Sequence, residues 1–334
     1  MNAIVRTGRF MATAAVVIVL VTGGVLIGQT RDKGPWWPST HGLKDQAGNS
    51  NYITPDKIVK ALQLAKTGQV YELGHMYERG MPDGRSYFVS VTPQSVEKDG
   101  QFAGHQEFFA GYIGQMGTSY DSLGHQGRGV RMADGTLMPT YYNGFTEKEM
   151  TSRSGGAAGL EALGIETMKP IITRGVLIDV AAYKGVPTLE AGYEVTAADL
   201  RAALAKQGIS ENSIERGDAI LLHYGWGTKY WRDAPSYGNT TTKVPGINLE
   251  AASWLRSKGV AMVGADSCCV QAMPWPGNFV HTVHHELLLN GVFILENMDL
   301  ETVARDRVYE FLYVGPALRI KGGTGSPVRP LAIR

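Results

Sequence analysis

Two stretches hold the side chains best suited to chemistry. Gln115, Gly117, Thr118, Ser119, Tyr120, Asp121 and His125 fall within residues 115–125, a glycine-punctuated segment whose backbone allows close approach to a small ligand. The second stretch carries His281, His284, His285 and Glu286, followed by Glu296. Imidazoles and carboxylates at this density suit a divalent metal or acid–base work. His281 and His285 stand at i,i+4, the spacing of paired zinc-ligating histidines on one helix face, but no Glu follows His281 directly, so that motif is absent. Any one of these histidines is more often a hydrogen-bonded structural residue than a ligand; the two clusters together point to a site. His105 and Glu107, upstream, are spare candidates.

Composition narrows what the site is made of. The 334 residues carry 32 Lys+Arg and 31 Asp+Glu, a formal charge of +1 that gives no field for a nucleic-acid backbone. Cys268 and Cys269 are the two cysteines, too few for a thiolate zinc module, and adjacent cysteines read as two small buried thiols. A metal must therefore be held by the eight histidines and the carboxylates. Ser119 lacks the G-x-S-x-G elbow of a serine hydrolase.

The elements that must position these residues follow from patterning. Residues 1–30 read as a signal peptide or N-terminal membrane anchor: Arg6 and Arg9 precede the apolar run Met11–Gly28. That run exceeds the roughly 7–15 residues of a signal h-region and sits at the short end of the ~17–25 that span a bilayer. It predicts export to the periplasm or cell exterior, with residues 35–334 forming one catalytic domain. Thr54-Pro55 opens a helix through Lys66, Thr196–Gln207 a second and Asn248–Lys258 a third. Ile171–Asp179, Ala219–His223, Val260–Gly264 and Phe293–Glu296 read as buried strands, and Val70–Tyr77 and Tyr87–Thr92 as further strands. Strand–helix alternation in the second half predicts an α/β fold with partly parallel pairing.

The ordered motifs resemble the cyclase-type metal-dependent hydrolases, the group that includes bacterial kynurenine formamidases and isatin hydrolases. Gly117, Thr118, Asp121 and His125 match its H-x-G-T-H-x-D-x-P-x-H signature, while Gln115, Ser119 and Leu123 replace two histidines and the proline. The likeness extends through Lys169–Asp179, Arg216–Asp218, Gly225-Trp226, Pro245-Gly246, Gly264–Asp266, Gly291–Asn297 and Thr324–Pro330. It is closest to the larger, exported branch. The resemblance implies a swivelling β/β/α-type domain with a mixed central sheet, assembled as a homodimer or homotetramer. It implies one divalent metal, Mn or Zn, held by Asp121, His284 and Glu296 with Gln115 as a weak ligand, and His125 as the acid–base residue. Its substrate class is a small cyclic or formyl amide, lactam or lactone, with Ser119, Tyr120 and Trp226 as substrate contacts. The missing histidines, and Gln271 where relatives carry Glu, leave a second reading: a non-catalytic module that binds a small molecule.

Overall fold

Apolar runs buried on both faces are what a parallel sheet demands, and the computed structural model places them side by side. It describes residues 34–334 except 83–86, 94–103, 133, 152, 154 and 276–280. The central sheet has nine strands: β1 (Val70–Glu72), β2 (Ser119–Asp121), β3 (Ile172–Asp179), β4 (Ala219–His223), β5 (Met262–Ala265), β6 (Phe293–Glu296), β7 (Glu310–Val314), β8 (Gly325–Pro327) and β9 (Leu331–Ile333). Their spatial order is β1-β9-β7-β3-β4-β5-β6-β2-β8. β3, β4, β5 and β6 are mutually parallel; β2 and β8 on one side, and β7, β9 and β1 on the other, are antiparallel. The expected α/β architecture with a mixed central sheet is met.

Helices close the parallel crossovers. α1 (Pro55–Leu62) precedes the sheet, α2 (Ala197–Lys206) connects β3 to β4, α3 (Leu249–Ser257) connects β4 to β5, and α4 (Val283–Leu288) connects β5 to β6. Their starts are side-chain caps: Thr196 and Asp199 form a capping box, Asn248 accepts from the Ala251 amide at 3.0 Å, and Thr282 and His285 form a second box. α1 ends four residues earlier than the sequence suggests, because Thr67 and Gly68 turn to donate their amides to the Arg334 carbonyl.

Three expectations change. Ser119–Asp121, inside the glycine-punctuated segment and not among the strands read from patterning, is a strand of the main sheet. His281 precedes α4, whose N-cap is Thr282, so His281 and His285 do not share a helix face; their rings lie 6.5 Å apart. Cys268 and Cys269 are joined as a vicinal disulfide, not two free thiols, in the tight turn after β5 where Val270 takes a left-handed φ of 55°. The proposed leader lies outside the described residues, and among the described residues no helix is long and apolar enough to cross a membrane.

One buried imidazole outside the two clusters ties stability to pH. His75 stacks on Tyr230 with centroids 3.9 Å apart, its side chain is 5% exposed, and its Nε2 is buried without a hydrogen-bond partner. Burial, partly opposed by a backbone contact to Met298, lowers its pKa from 6.5 to about 4. The unfolded chain therefore binds a proton in that window that the folded chain refuses, and stability falls as pH drops from 6.5 towards 4. The loss amounts to at most about 3 kcal/mol. Denaturant unfolding of His75→Phe, which keeps the stacking, is expected to show a flatter acid limb than the parent.

Candidate active site

β2 and β6 are antiparallel neighbours, with Asp121 opposite Ile294 and Ser119 opposite Glu296, so the carboxylates of Asp121 and Glu296 lie diagonally across the pair. α4 delivers His284 to the same place. One ligand atom each from Asp121, His284 and Glu296 lies within 4.8 Å of the others. His284 Nε2 is 3.6 Å from Asp121 Oδ2 and 3.2 Å from Glu296 Oε1. On its other side, His284 Nδ1 is 2.9 Å from Gln271 Oε1, an atom that only accepts. Nδ1 therefore carries the proton. Burial, which outweighs the opposing attraction of Asp121, lowers the pKa of His284 and keeps the ring neutral. Its Nε2 lone pair then faces two carboxylates. Asp121 is 2% exposed, and its Oδ2 accepts no hydrogen bond. The Nε2 lone pair, the buried Oδ2 of Asp121 that accepts no hydrogen bond, and the half-buried Glu296 carboxylate converge as a donor set that fits a cation.

The ends of β2 and β6 are clipped together. Asn297 Nδ2 donates to the Gly117 carbonyl at 2.9 Å, Thr118 Oγ1 donates to the Asn297 carbonyl at 2.5 Å, and Tyr237 Oη donates to Asn297 Oδ1 at 2.8 Å. Tyr77 Oη donates to the Thr118 carbonyl. Gly117 makes this clip possible: its φ is +57°, and a Cβ there would sit 2.8 Å from the Tyr77 ring. Gly117→Ala is expected to lower stability by about 2–4 kcal/mol, the sum of left-handed strain and overpacking, seen as a drop in Tm.

The remaining sequence candidates separate cleanly. Gln115 turns its amide nitrogen, not its oxygen, to the site: Nε2 is 3.0 Å from Asp121 Oδ1 and 3.4 Å from the Thr324 carbonyl, both acceptors. In this arrangement it orients Asp121. Ser119 is buried, with Oγ on the Gly117 carbonyl at 3.3 Å. Tyr120 is fully buried with its hydroxyl 2.6 Å from that of Tyr313, and Trp226 is buried with Nε1 donating to the Tyr237 carbonyl. Neither aromatic has surface left for a substrate; both are core. His125 is 22% exposed, its Nε2 3.7 Å from Asp121 Oδ1. His285 spends Nε2 on the Gly127 carbonyl and Nδ1 on the Thr282 amide, and burial, with its histidine neighbours, lowers its pKa to about 4. Glu286 is taken by Ser253, Arg256 and His281. His105 and Glu107 lie on the exposed strand His105–Gly111, which among the described residues pairs with Tyr87–Pro93 alone.

Two residues escaped sequence reasoning. Gln271, which looked like a lost carboxylate, fixes the His284 tautomer. Trp275 leans on His284 with ring centroids 5.2 Å apart and lines a cavity of about 600 Å³ with Gly127, Arg128, Leu137 and His285. Neither this cavity nor a larger one of about 850 Å³ lined by His75, Tyr77, Leu318 and Arg329 among others is lined by any of the three clustered residues; the smaller one is joined to them through Trp275, which packs on His284.

The family model described as "Putative cyclase" matches residues 44–272. A solved structure described as a novel cyclase is 30% identical, with a TM-score of 0.71 over 88% of this chain and 95% of that one. An isatin hydrolase bound to the product analogue thioisatinate is 18% identical, with a TM-score of 0.54 over 84% of this chain and 98% of that one, a likeness of fold. The kynurenine formamidase of Bacillus cereus is 34% identical over 86 residues, 26% of this chain and 38% of that protein's length.

Proposed function

This chain belongs to the putative cyclase family, and we propose from that premise that it is a metal-dependent hydrolase of a small amide, lactam or lactone. The observation that carries the reading is the convergence of Asp121, His284 and Glu296, with the buried Oδ2 of Asp121 left without a donor. These three residues would hold one divalent ion, Mn²⁺ or Zn²⁺, as mixed nitrogen and oxygen donors suit either. Such an ion supplies Lewis-acid polarisation and lowers the pKa of water. The protein's own part is positional. Gln271 keeps the His284 proton on Nδ1, and Gln115 orients Asp121. His125, partly exposed beside Asp121, takes a proton from the attacking water and returns one to the leaving nitrogen or oxygen. Trp275 supplies the apolar wall for a flat ring and Arg128 the positive charge at the cavity's rim.

The test is hydrolysis of N-formylkynurenine, isatin and small lactones by the full chain purified without chelator. Turnover that EDTA removes and Mn²⁺ or Zn²⁺ restores is the expected result. No turnover together with no bound or bindable metal would establish the non-catalytic binding module instead. Export and a homodimeric or homotetrameric assembly belong to the same proposal and are read by cell fractionation and light scattering.

A further inference from the structure

Three adjacent parallel strands end on a second group of metal-capable side chains. β3 ends at Asp179, β4 at His223, its register partner, and Asp266 follows β5 directly. The C-terminal ends of parallel strands are where open α/β sheets place ligands. His223 Nε2 is 3.4 Å from Glu301 Oε1 and 3.9 Å from Asp266 Oδ2, and one ligand atom from each of the three residues lies within 4.8 Å of the others. These spacings match those of the Asp121 group.

The surroundings are built to hold the geometry. His223 Nδ1 is 2.8 Å from Asp179 Oδ1, and the Asp179 carboxylate is itself anchored by the Ala182 amide. A carboxylate behind one ring nitrogen and two carboxylates before the other is an arrangement that can aim a histidine at a metal. Asp266 is fully buried and fixed by the amides of Tyr224 and Trp226 at 2.9 Å and of Gly227 at 3.3 Å. Among the described residues no lysine or arginine forms an ion pair with Asp179, Asp266 or Glu301. A cavity of about 270 Å³ is lined by Asp179, His223 and Glu301 and also by Arg305 and Arg307, with Asp266 outside its lining.

We propose that His223, Asp266 and Glu301 form a second divalent-cation site, with Asp179 as the residue that positions the imidazole. One nitrogen and two carboxylate oxygens suit Zn²⁺. The ion would tie the ends of β4 and β5 to the segment Glu301–Arg305, a structural role separate from hydrolysis. Equilibrium dialysis of the full chain against Zn²⁺ tests it. The parent is expected to take up two equivalents, Glu301→Gln and His223→Gln one each, Asp121→Asn one, and Asp121→Asn/Glu301→Gln none. At this site Zn²⁺ affinity should fall by about 100-fold or more in Glu301→Gln, at least the loss that outer-shell changes cause. Glu301 is one-third exposed, so its amide variant is tolerated even where His223→Gln fails to fold. Unchanged Zn²⁺ stoichiometry in Glu301→Gln overturns the proposal and leaves His223 as an imidazolium neutralising its carboxylates. A loss confined to Asp121→Asn would overturn it while sparing the first site; a loss confined to Glu301→Gln would support it while removing metal from the proposed hydrolase.

Discussion

Asp121→Asn is expected to abolish metal uptake at the Asp121–His284–Glu296 group and to lower metal-dependent kcat/KM by on the order of 10⁴-fold or more. The substitution keeps shape and volume. The Asn carbonyl oxygen can still accept from Gln115 Nε2, now 3.0 Å from Asp121 Oδ1, so the hydrogen bond that holds the side chain survives. What disappears is the negative charge at Oδ2, the buried atom with no donor of its own. An amide NH₂ in that position would donate directly to the Nε2 lone pair of His284, which stands 3.6 Å away, and satisfy the group without a cation. The variant should therefore fold as well as the parent or better, because the buried one of two carboxylates facing the lone pair loses its charge. Activity lost with Tm kept or raised is the signature of a ligand. Activity lost with Tm lowered would mark Asp121 as a packing residue, and unchanged metal content would move the site elsewhere.

The legible and illegible parts of this protein divide along burial. Ala219–His223 and Phe293–Glu296 stand out in sequence because their continuous apolar runs have no other home than a covered sheet. Ser119–Asp121 does not, because it is three residues long, Tyr120 alone reaches the core, and the polar flanks serve the site. β8 and β9 are hidden for the same reason of length, and each depends on neighbours far away in the chain. Within the site, chemistry showed as residue type but partnership did not. His284 and Glu296 were visible as candidates, whereas the bond between His284 and Gln271 exists only because α4 folds back over the turn that follows β5. Tyr120 and Trp226 are candidate substrate contacts in the sequence, although aromatics beside glycine turns usually pack. Their polar ends are satisfied inside, Tyr120 by a hydroxyl 193 residues away, so they pack the core. His223 drew no attention in sequence because its partners Asp179, Asp266 and Glu301 come from three separate segments.

His125→Gln is expected to lower kcat on amide substrates by about 10²–10⁴-fold while leaving metal stoichiometry unchanged. The geometry separates this residue from the ligands. His125 Nε2 lies 3.7 Å from Asp121 Oδ1, beyond hydrogen-bond reach, and its side chain is 22% exposed where those of Asp121 and His284 are buried. Its ring is free to turn towards a substrate, which a residue committed to the metal is not. Gln preserves the hydrogen-bonding reach and removes the ability to carry a proton, so the loss measures proton transfer and not positioning. The size of the loss must follow the leaving group. An amide nitrogen leaves only when protonated, so the amide loses both the base and the acid role of His125; an activated aryl ester, whose phenolate departs unaided, loses only the base role and should fall less. Equal losses on both substrates would place His125 in binding or in support of Asp121, and the dialysis count of bound metal would tell those two apart.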